Sequence, residues 1–396
     1  MKILSLTTLF PTRVQPVHAV FVYNRLNHLA ELAEVKVIAP IPYFPFEHLR
    51  PSYEYRSQVP ALDRIGNLDV MYPRYLSIPA ILKPLDGVFL FLTALFAIWK
   101  IRQGFDFDIL DTHLAFPDGF AGVLLGKIFK KPVTITLRGH DINVLPNDEF
   151  PIRKRMVAFA VRRANLVIGV ADALRAKAVS LGTPEVRSVT ISNGVDVSRF
   201  QPAWRSEARE RLNLPKDRRI VLSVGRLVEN KGYHLIVEAL AILREQGAEI
   251  PYLVIVGSPG DQPDYAATLL DTIEKFALLD NVLLAGAQLN ETLSDWYNAA
   301  DVYCLASRVE GWANVLLESL ACGTPVVATN IWGTPEVITS DSYGLLVERS
   351  PEALAAGISQ ALARDWNRAE LNQYASAQTW DQTAHKVIAA FQKILN

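Results

Sequence analysis

Residues 310–336, EGWANVLLESLACGTPVVATNIWGTPE, decide how this chain of 396 residues folds. An apolar strand pattern ends at Leu305 before the stretch, and a helical spacing of apolar residues begins after Asn314, the predicted N-cap. Gly323 stands where a helix C-cap belongs, and Pro325 precedes a second apolar strand. The pattern predicts strand, loop, short helix and strand, which is the repeating unit of a parallel sheet.

Two carboxylates bracket the start of this predicted helix. Glu310 lies in the loop before the helix, and Glu318 lies about one turn inside it. The helix N-terminus at Asn314 and Val315 offers unpaired N–H groups and a positive dipole end, which favour an anion such as a phosphate. The two carboxylates can accept hydrogen bonds from vicinal sugar hydroxyls. The bare spacing is also typical of a loop charge and a solvated helix residue, so the surrounding sequence has to decide.

The composition is that of a large globular chain with two domains. Half of the residues are hydrophobic and the net charge is −1, so the overall charge gives no indication of a nucleic-acid partner. Cys304 and Cys322 lie in apolar segments, which predicts buried, reduced thiols of a cytoplasmic protein and no metal site. Residues 88–99 predict a helix that is buried or partly membrane-facing, since a bilayer span needs ~20 residues.

Apolar strand patterns alternate with helical patterns on both sides of a turn-rich segment. The predicted strands are Lys2–Leu6, 35–39, 109–111, Val133–Leu137, 166–170, 188–191, Ile220–Val224, Tyr252–Val256, 282–284, Val302–Leu305 and 326–328. The predicted helices are 21–33, 119–129, 152–164, 171–180, 234–244, 265–277, Leu293–Ala299 and 383–395. Strands of Val, Ile and Leu separated by helices predict two doubly wound α/β domains facing a cleft.

A group of cations follows the strand Ile220–Val224. Gly225 permits a close or strained backbone turn, and Arg226 and Lys231 then place two positive charges near one strand end. Such charges suit a pyrophosphate, although scattered charges are also typical of a solvated loop.

Three histidines and an arginine lie near strand ends in the first half of the chain. His113 ends the third predicted strand, Arg138 and His140 follow the fourth, and His18 with Ala19 lies in the loop after the first. A lone histidine is more often a plain surface or core residue, but two at neighbouring strand ends strengthen the case for a site.

EGWANVLLESLACGTPVVAT closely resembles the signature of glycosyltransferase family 4, whose members are retaining enzymes of the GT-B fold. PDG after Asp-x-His, together with RGxDIN, resembles the subset that assembles exopolysaccharides in Gram-negative bacteria. The resemblance implies an acceptor-binding domain of residues 1–198 and a donor-binding domain of residues 199–379. It also implies that a C-terminal helix within 380–396 packs back on the first domain.

In this family a nucleoside diphosphate sugar donates the sugar, and the diphosphate leaves from the face that the acceptor attacks. The resemblance carries Arg226 and Lys231 over as diphosphate ligands, Glu310 as a ligand of the transferred sugar and Glu318 as a ligand of the ribose. Other residues expected at the donor site are His18, Ala19, Gly225, Gly311, Trp312, Asn314 and Val315.

This sequence departs from the family pattern at two positions. Arg138 stands where family members often have a histidine that contacts the reacting sugar, and Ala19 stands where they commonly have glycine. Arg138 would serve a leaving phosphate and His140 a sugar hydroxyl. The sequence leaves open which of Arg138, His140 and His113 takes the place of the family histidine.

Dinucleotide-binding and P-loop motifs are missing from the sequence. No G-x-G-x-x-G follows the first strand and no G-x-x-x-x-G-K-[ST] occurs, which argues against a dehydrogenase and a P-loop kinase. We expect neither a metal nor a cofactor. Two alternatives to transfer are a sugar-nucleotide epimerase of the same fold and an inactive module that binds nucleotides or glycans.

The basic helix predicted at residues 152–164 combines arginines and a lysine with an apolar face. Such a helix is typical of docking on an anionic membrane surface, and equally of an exposed surface helix. We expect a cytoplasmic protein, peripheral on the inner membrane, whose acceptor is a glycan or a lipid-linked glycan.

Overall fold

The computed structural model describes residues 1–45, 56–78, 82–144, 151–259 and 263–396. The chain forms two compact units. The first contains Met1–Asn193 and Trp380–Asn396, and the second contains Gly194–Thr379. The sequence places the division slightly later, between residues 198 and 199.

An eight-stranded sheet forms the core of the first unit. The strands of this unit are β1 (Lys2–Leu6), β2 (Glu34–Ile38), β3 (Ile41–Tyr43), β4 (Leu62–Ile65), β5 (Leu68–Met71), β6 (Arg74–Leu76), β7 (Ile109–His113), β8 (Val133–Leu137), β9 (Leu166–Gly169) and β10 (Ser188–Thr190). The sheet order is β10-β9-β8-β7-β1-β2-β5-β4, while β3 and β6 pair separately. All pairs in the large sheet are parallel except β4 with β5.

Helices cover the sheet of the first unit. They include α1 (Val20–Leu32), α2 (Asp86–Arg102), α3 (Phe120–Phe129), α4 (Pro151–Arg163) and α5 (Asp172–Ser180). Helix α1 buries Val22, Leu26 and Leu29, which recur at helical spacing on one face. These side chains pack in one cluster with Ile3 and Val37 of the sheet, so α1 is fixed on the first two strands.

The second unit also consists of a sheet with helices between its strands, and its six strands are all parallel. Its strands are β11 (Ile220–Val224), β12 (Tyr252–Val256), β13 (Val282–Gly286), β14 (Val302–Leu305), β15 (Val326–Thr329) and β16 (Gly344–Val347), in the order β13-β12-β11-β14-β15-β16. Its helices are α6 (Arg205–Arg211), α7 (Tyr233–Glu245), α8 (Pro263–Lys275), α9 (Leu293–Ala299), α10 (Asn314–Ala321), α11 (Thr334–Val337), α12 (Pro351–Ala363) and α13 (Arg368–Ser376). Buried residues of α7 and α12 pack together with β11 and β12 in one large cluster.

The C-terminal helix α14 (Trp380–Leu395) belongs to the first unit, although the whole second unit precedes it in the chain. Ala384, Val387 and Phe391 lie on its buried stripe and pack in the same cluster as Leu26 of α1. Thr383 Oγ1 also donates a hydrogen bond of 3.0 Å to the carbonyl oxygen of Ser192.

Helix α2 is longer than the sequence predicts. The expected helix of residues 88–99 extends over Asp86–Arg102, which is 17 residues. Together with the preceding turn, Lys83–Arg102 is the one helical segment in the described ranges that is long and apolar enough to cross a membrane, judged by length and composition alone.

Each large sheet has a point where the strand order reverses direction. In the first unit it lies between β1 and β7, and in the second unit it lies between β11 and β14. Ligands of open α/β sheets bind beyond the carboxyl ends of the strands at such a point. The loops that leave β11 and β14 are therefore where a ligand of the second unit is expected.

Candidate active site

A lysine and a glutamate meet at the reversal point of the second unit. Lys231, after β11, and Glu310, after β14, approach to 2.6 Å between Nζ and Oε1. Ser307 Oγ donates a second hydrogen bond of 2.6 Å to the same carboxylate oxygen. The side chains of Lys231 and Glu310 are only 21% and 14% exposed. Because the three groups hold one another, Glu310 is oriented before any ligand arrives.

Backbone contacts hold these two loops together. Arg308 N donates to the carbonyl oxygen of Asn230 at 2.8 Å, and Asn230 Nδ2 donates to the carbonyl oxygen of Val309 at 3.1 Å. Gly232 has a φ of +69°, and a Cβ at this position would overlap the carbonyl oxygen of Ala306. A glycine is needed here because the backbones of the two loops come too close for a side chain.

Gly225 leaves space for the aliphatic part of the Lys231 side chain. Its φ is +151°, and a Cβ there would lie 3.0 Å from Tyr233 Oη and 3.3 Å from Lys231 Cε. Arg226, the next residue, is exposed. The predicted arrangement of a glycine turn with two cations is thus present, with Arg226 open to solvent and Lys231 turned towards Glu310.

The N-terminus of α10 follows Glu310 in the chain, but its capping differs from the prediction. Ala313 is the N-cap and Asn314 is the first helical residue, so Asn314 is not the cap that the sequence predicts. Gly311, Asn314 and Val315 are half-buried. The Trp312 side chain is buried and contributes to packing, so a ligand has access to the backbone of this loop more readily than to the indole ring.

Glu318 lies one turn into α10 and is held by a tyrosine that the sequence did not indicate. Tyr297 Oη, on α9, donates a hydrogen bond of 2.8 Å to Glu318 Oε2. Burial raises the pKa of Glu318 to about 7, although the bond from Tyr297 and the charge of Arg199 act in the opposite direction. The carboxylate therefore changes its charge near neutral pH.

A second tyrosine also lies at this site. Tyr233 begins α7, its side chain is buried, and within the described ranges its hydroxyl has no hydrogen-bond partner. Burial raises the pKa of Tyr233, and the nearby charge of Glu310 contributes to that increase. Tyr233 is hard to recognise from the sequence, because it reads as the apolar first residue of a helix after Lys231-Gly232.

Arg138 is the centre of the corresponding site in the first unit. Its Nη1 donates to Asn193 Oδ1 at 2.8 Å, and its Nη2 lies 2.8 Å from His113 Nδ1. The guanidinium also lies over the ring of Phe21, 5.3 Å from the centroid, as in a cation–π contact. Burial and the charge of Arg25 lower the pKa of Arg138 to about 9, so it stays positively charged at neutral pH.

His113 is fully buried, which corrects the expectation that it reaches a ligand. Its Nε2 lies 3.1 Å from Asp111 Oδ2, while its Nδ1 faces Arg138. Burial lowers the pKa of His113 to about 4 against the opposing effect of Asp111, so the ring is neutral. A proton on Nε2 faces the carboxylate, and the lone pair on Nδ1 accepts from Arg138. His113 is a positioning residue for Arg138.

Arg25 of α1 completes this buried network, and the sequence did not single it out. Its Nη1 donates to Thr136 Oγ1 at 2.8 Å, and its Nη2 lies 4.0 Å from Asp111 Oδ1. Burial alone would raise the pKa of Asp111, but His113 and Arg25 together lower it to about 2. Asp111 is therefore an anion that lies between His113 and Arg25.

His140 and His18 are exposed, in contrast to His113. The backbone beside His140 is fixed by buried Asp141, whose Oδ1 accepts hydrogen bonds from the N–H groups of Arg138 (3.1 Å) and Gly139 (2.9 Å). Ala19, next to His18, has a φ of +50° as the N-cap of α1. This left-handed conformation suits glycine, so the alanine is accepted at the cost of some backbone strain.

Solved glycosyltransferases of the GT-B fold match this chain over nearly its whole length. Sucrose-phosphate synthase from Thermosynechococcus elongatus has a TM-score of 0.80 and 20% identity, and the match covers 99% of both chains. Anabaena HepE in complex with UDP has a TM-score of 0.74 and 19% identity, over 99% of this chain and 100% of that one. The chain therefore has the GT-B fold, as the sequence predicts.

The family follows from the sequence models and relatives. The model described as Glycosyltransferase Family 4 matches residues 18–199, and the model described as Glycosyl transferases group 1 matches residues 205–378. A protein of Bacillus subtilis (strain 168) named as a teichuronic acid biosynthesis glycosyltransferase, TuaC, is 30% identical over 91% of this chain and 89% of its own. D-inositol 3-phosphate glycosyltransferase of Xylanimonas cellulosilytica is 30% identical over 72% of each. The chain belongs to glycosyltransferase family 4, which confirms the predicted family, and it is a glycosyltransferase.

Proposed function

We propose that this glycosyltransferase moves a hexosyl group, with retention of configuration, from a nucleoside diphosphate sugar to a glycan or lipid-linked glycan in the assembly of a cell-surface polysaccharide. The observation that carries the proposal is the Lys231–Glu310 pair at the reversal point of the second sheet. The solved relative HepE was crystallised with UDP-glucose, which supports a nucleotide-sugar donor. The relative named for teichuronic acid biosynthesis supports a polysaccharide product.

In this proposal the second unit binds the donor. Lys231, exposed Arg226 and the N-terminus of α10 would stabilise the leaving diphosphate, since fixed charges aimed at a developing anion are the largest contribution in such reactions. Glu310, already oriented by Ser307, would accept hydrogen bonds from hydroxyls of the transferred sugar. Glu318 would accept bonds from the ribose.

The reaction then needs no side-chain base. The bond between the anomeric carbon and the phosphate oxygen breaks, and the bond to the acceptor oxygen forms on the same face of the sugar. The acceptor proton passes to the leaving phosphate oxygen. We assign no metal or cofactor to these steps, and activity is expected to persist after treatment with a chelator.

We assign Arg138 to the leaving phosphate and His140 to a sugar hydroxyl. A guanidinium fits a phosphate because its N–H groups match the phosphate oxygens, and Arg138 is held for this purpose by His113 and Asn193. His140 is exposed and so has access to a substrate, while His113 has none.

A thermal-shift series tests donor binding. Uridine, guanosine and adenosine diphosphates, each with and without a sugar, are added to the purified protein. A ligand that binds only the folded state stabilises it by about 2.7 kcal/mol at a hundredfold excess over Kd. We expect the uridine compounds to give the largest shift, and the proposal fails if no nucleotide gives one.

Turnover in a Glu310→Ala variant tests the assigned site. The change removes the proposed sugar ligand, so we expect kcat to fall at least ~100-fold while the protein remains folded. Glu229→Gln is the matched control, because Glu229 lies in the loop after β11 but forms an exposed pair with Arg308 at 3.1 Å. Wild-type turnover in Glu310→Ala would contradict the assignment, and conversion of the donor sugar to an epimer without acceptor would support the alternative of an epimerase.

A further inference from the structure

Helix α2 carries a line of exposed apolar side chains along one face. The positions are separated by three, four, four and three residues, which places them on a single stripe of an α-helix. Phe96 and Trp99 are the most prominent, with exposed fractions of 72% and 64%. We call this set the α2 stripe, and it consists of Leu85, directly before α2, and of Val88, Leu92, Phe96 and Trp99.

The opposite face of α2 packs against the rest of the first unit. Leu90, Ala94 and Ile98 are fully buried, and the helix packs on α3. A membrane-spanning position for α2 would remove these side chains from their packing, even though its length and composition would allow a span. The structure therefore leaves only the α2 stripe available, which suits a helix lying on a surface rather than crossing it.

Basic residues lie near both ends of the α2 stripe. Asp86 is the sole acidic residue of α2, and its C-terminal turn carries Lys100 and Arg102, of which Arg102 forms an exposed ion pair with Asp106 at 3.2 Å. Near its N-terminal end, Gly87 packs against Met156 of α4, a helix that contains five basic and no acidic residues. The whole chain has a net charge of −1, so this group of cations is not part of a general excess of positive charge.

We propose that the α2 stripe and the basic side chains of α4 form one docking surface for a bilayer that contains anionic lipids. Aromatic rings favour the interface between headgroups and acyl chains, and cations near an anionic surface each contribute about 1 kcal/mol. The charge selects this occupant, because a bilayer offers both the apolar layer that the stripe requires and the negative headgroups that α4 requires. The surface goes beyond the proposed transfer reaction and does not depend on it.

Co-sedimentation with vesicles tests this surface. The full chain is mixed with vesicles of phosphatidylcholine alone or with added phosphatidylglycerol, and the bound fraction is measured at low and high salt. The test variant is F96S/W99S, and the matched control is Trp204→Ser, because Trp204 is 76% exposed in the second unit. A second variant, K154Q/R155Q, removes charge from α4 without changing the stripe.

The proposal predicts binding to the anionic vesicles that falls at least ~10-fold in F96S/W99S and is unchanged in Trp204→Ser. K154Q/R155Q should weaken binding to anionic vesicles and reduce its salt dependence. Nucleotide-induced thermal shifts should be the same in all variants, since the substituted side chains are exposed and lie outside the donor site. Equal binding by wild type and F96S/W99S would overturn the proposal. So would a wild-type dimer, seen by light scattering, that F96S/W99S dissociates, because a second copy would then cover the stripe.

Discussion

Replacement of Glu318 by glutamine is expected to stabilise the second unit at high pH. Burial raises the pKa of Glu318 from an ordinary value of 4.5 to about 7. Between these two values the folded protein keeps a proton that the unfolded chain releases, so stability falls as pH rises through this window. A glutamine does not ionise, yet its side-chain oxygen can still accept the hydrogen bond from Tyr297.

The size of the effect follows from the same two pKa values. Their difference corresponds to at most ~3 kcal/mol, at about 1.4 kcal/mol per pH unit. Because Glu318 is partly open to water, which screens its charge, we expect about 1–2 kcal/mol. Glu318→Gln should therefore be more stable than the wild type by that amount at pH 8, and the advantage should disappear towards pH 4.5.

Urea unfolding of the nucleotide-free protein at a series of pH values measures this difference. Tyr297→Phe serves as a control, since it removes the hydrogen bond that lowers the pKa of Glu318 and so should make the wild-type penalty larger. A difference between Glu318→Gln and wild type that does not change with pH would refute the reasoning. If Glu318 binds the ribose, Glu318→Gln should gain stability and lose donor affinity together. The buried carboxylate would then cost stability but contribute to donor binding.

Two further predictions concern the positioning of Arg138 and the loop contact at Gly232. His113→Asn should lower kcat by about 10–100-fold and reduce the nucleotide-induced thermal shift, because Arg138, which we assign to the leaving phosphate, loses its acceptor. A wild-type kcat in steady-state kinetics would contradict this prediction. Gly232→Ala should destabilise the protein by ~1–3 kcal/mol more than Gly247→Ala in urea unfolding, since both glycines have a φ near +70° but only a Cβ at Gly232 would meet Ala306. Equal losses in the two variants would show that the close approach is not important.

The buried strands could be predicted because a local pattern of apolar residues is enough to indicate them. Strands such as β8 (VTITL) and β11 (IVLSV) are rich in Val, Ile and Leu, as expected where both faces of a parallel sheet are covered, and they match the predicted bounds. The hairpin of β4 and β5 was missed, although Gly66-Asn67 between them is a hairpin turn signal. Its strands are short and half-exposed, and so lack an apolar run.

The residue clusters of the two units differ in how far the sequence predicts them. Glu310 and Glu318 share one helix entry, so their local spacing was enough to indicate a ligand site. Arg25, by contrast, contacts Thr136 across 111 positions of sequence. An arginine within a helical pattern normally indicates the solvent face, and only the tertiary fold places this one in the core. The left-handed backbone of Ala19 could not be predicted from the sequence either, since an alanine does not indicate such a conformation.

Arg138 stands where family members often have a histidine. Its buried contacts help to decide whether this difference marks a lost activity. Removing two or three charged groups from water costs several kcal/mol each, and well-packed apolar replacements are often more stable. A chain without a use for Arg138 would therefore gain by losing Arg25 and Asp111 from the core. Instead Asp111 Oδ2 lies 3.1 Å from Nε2 of a neutral His113, and His113 Nδ1 presents a lone pair to Arg138. This support for Arg138 favours the proposal that it serves a phosphate over the alternative of a degenerate site.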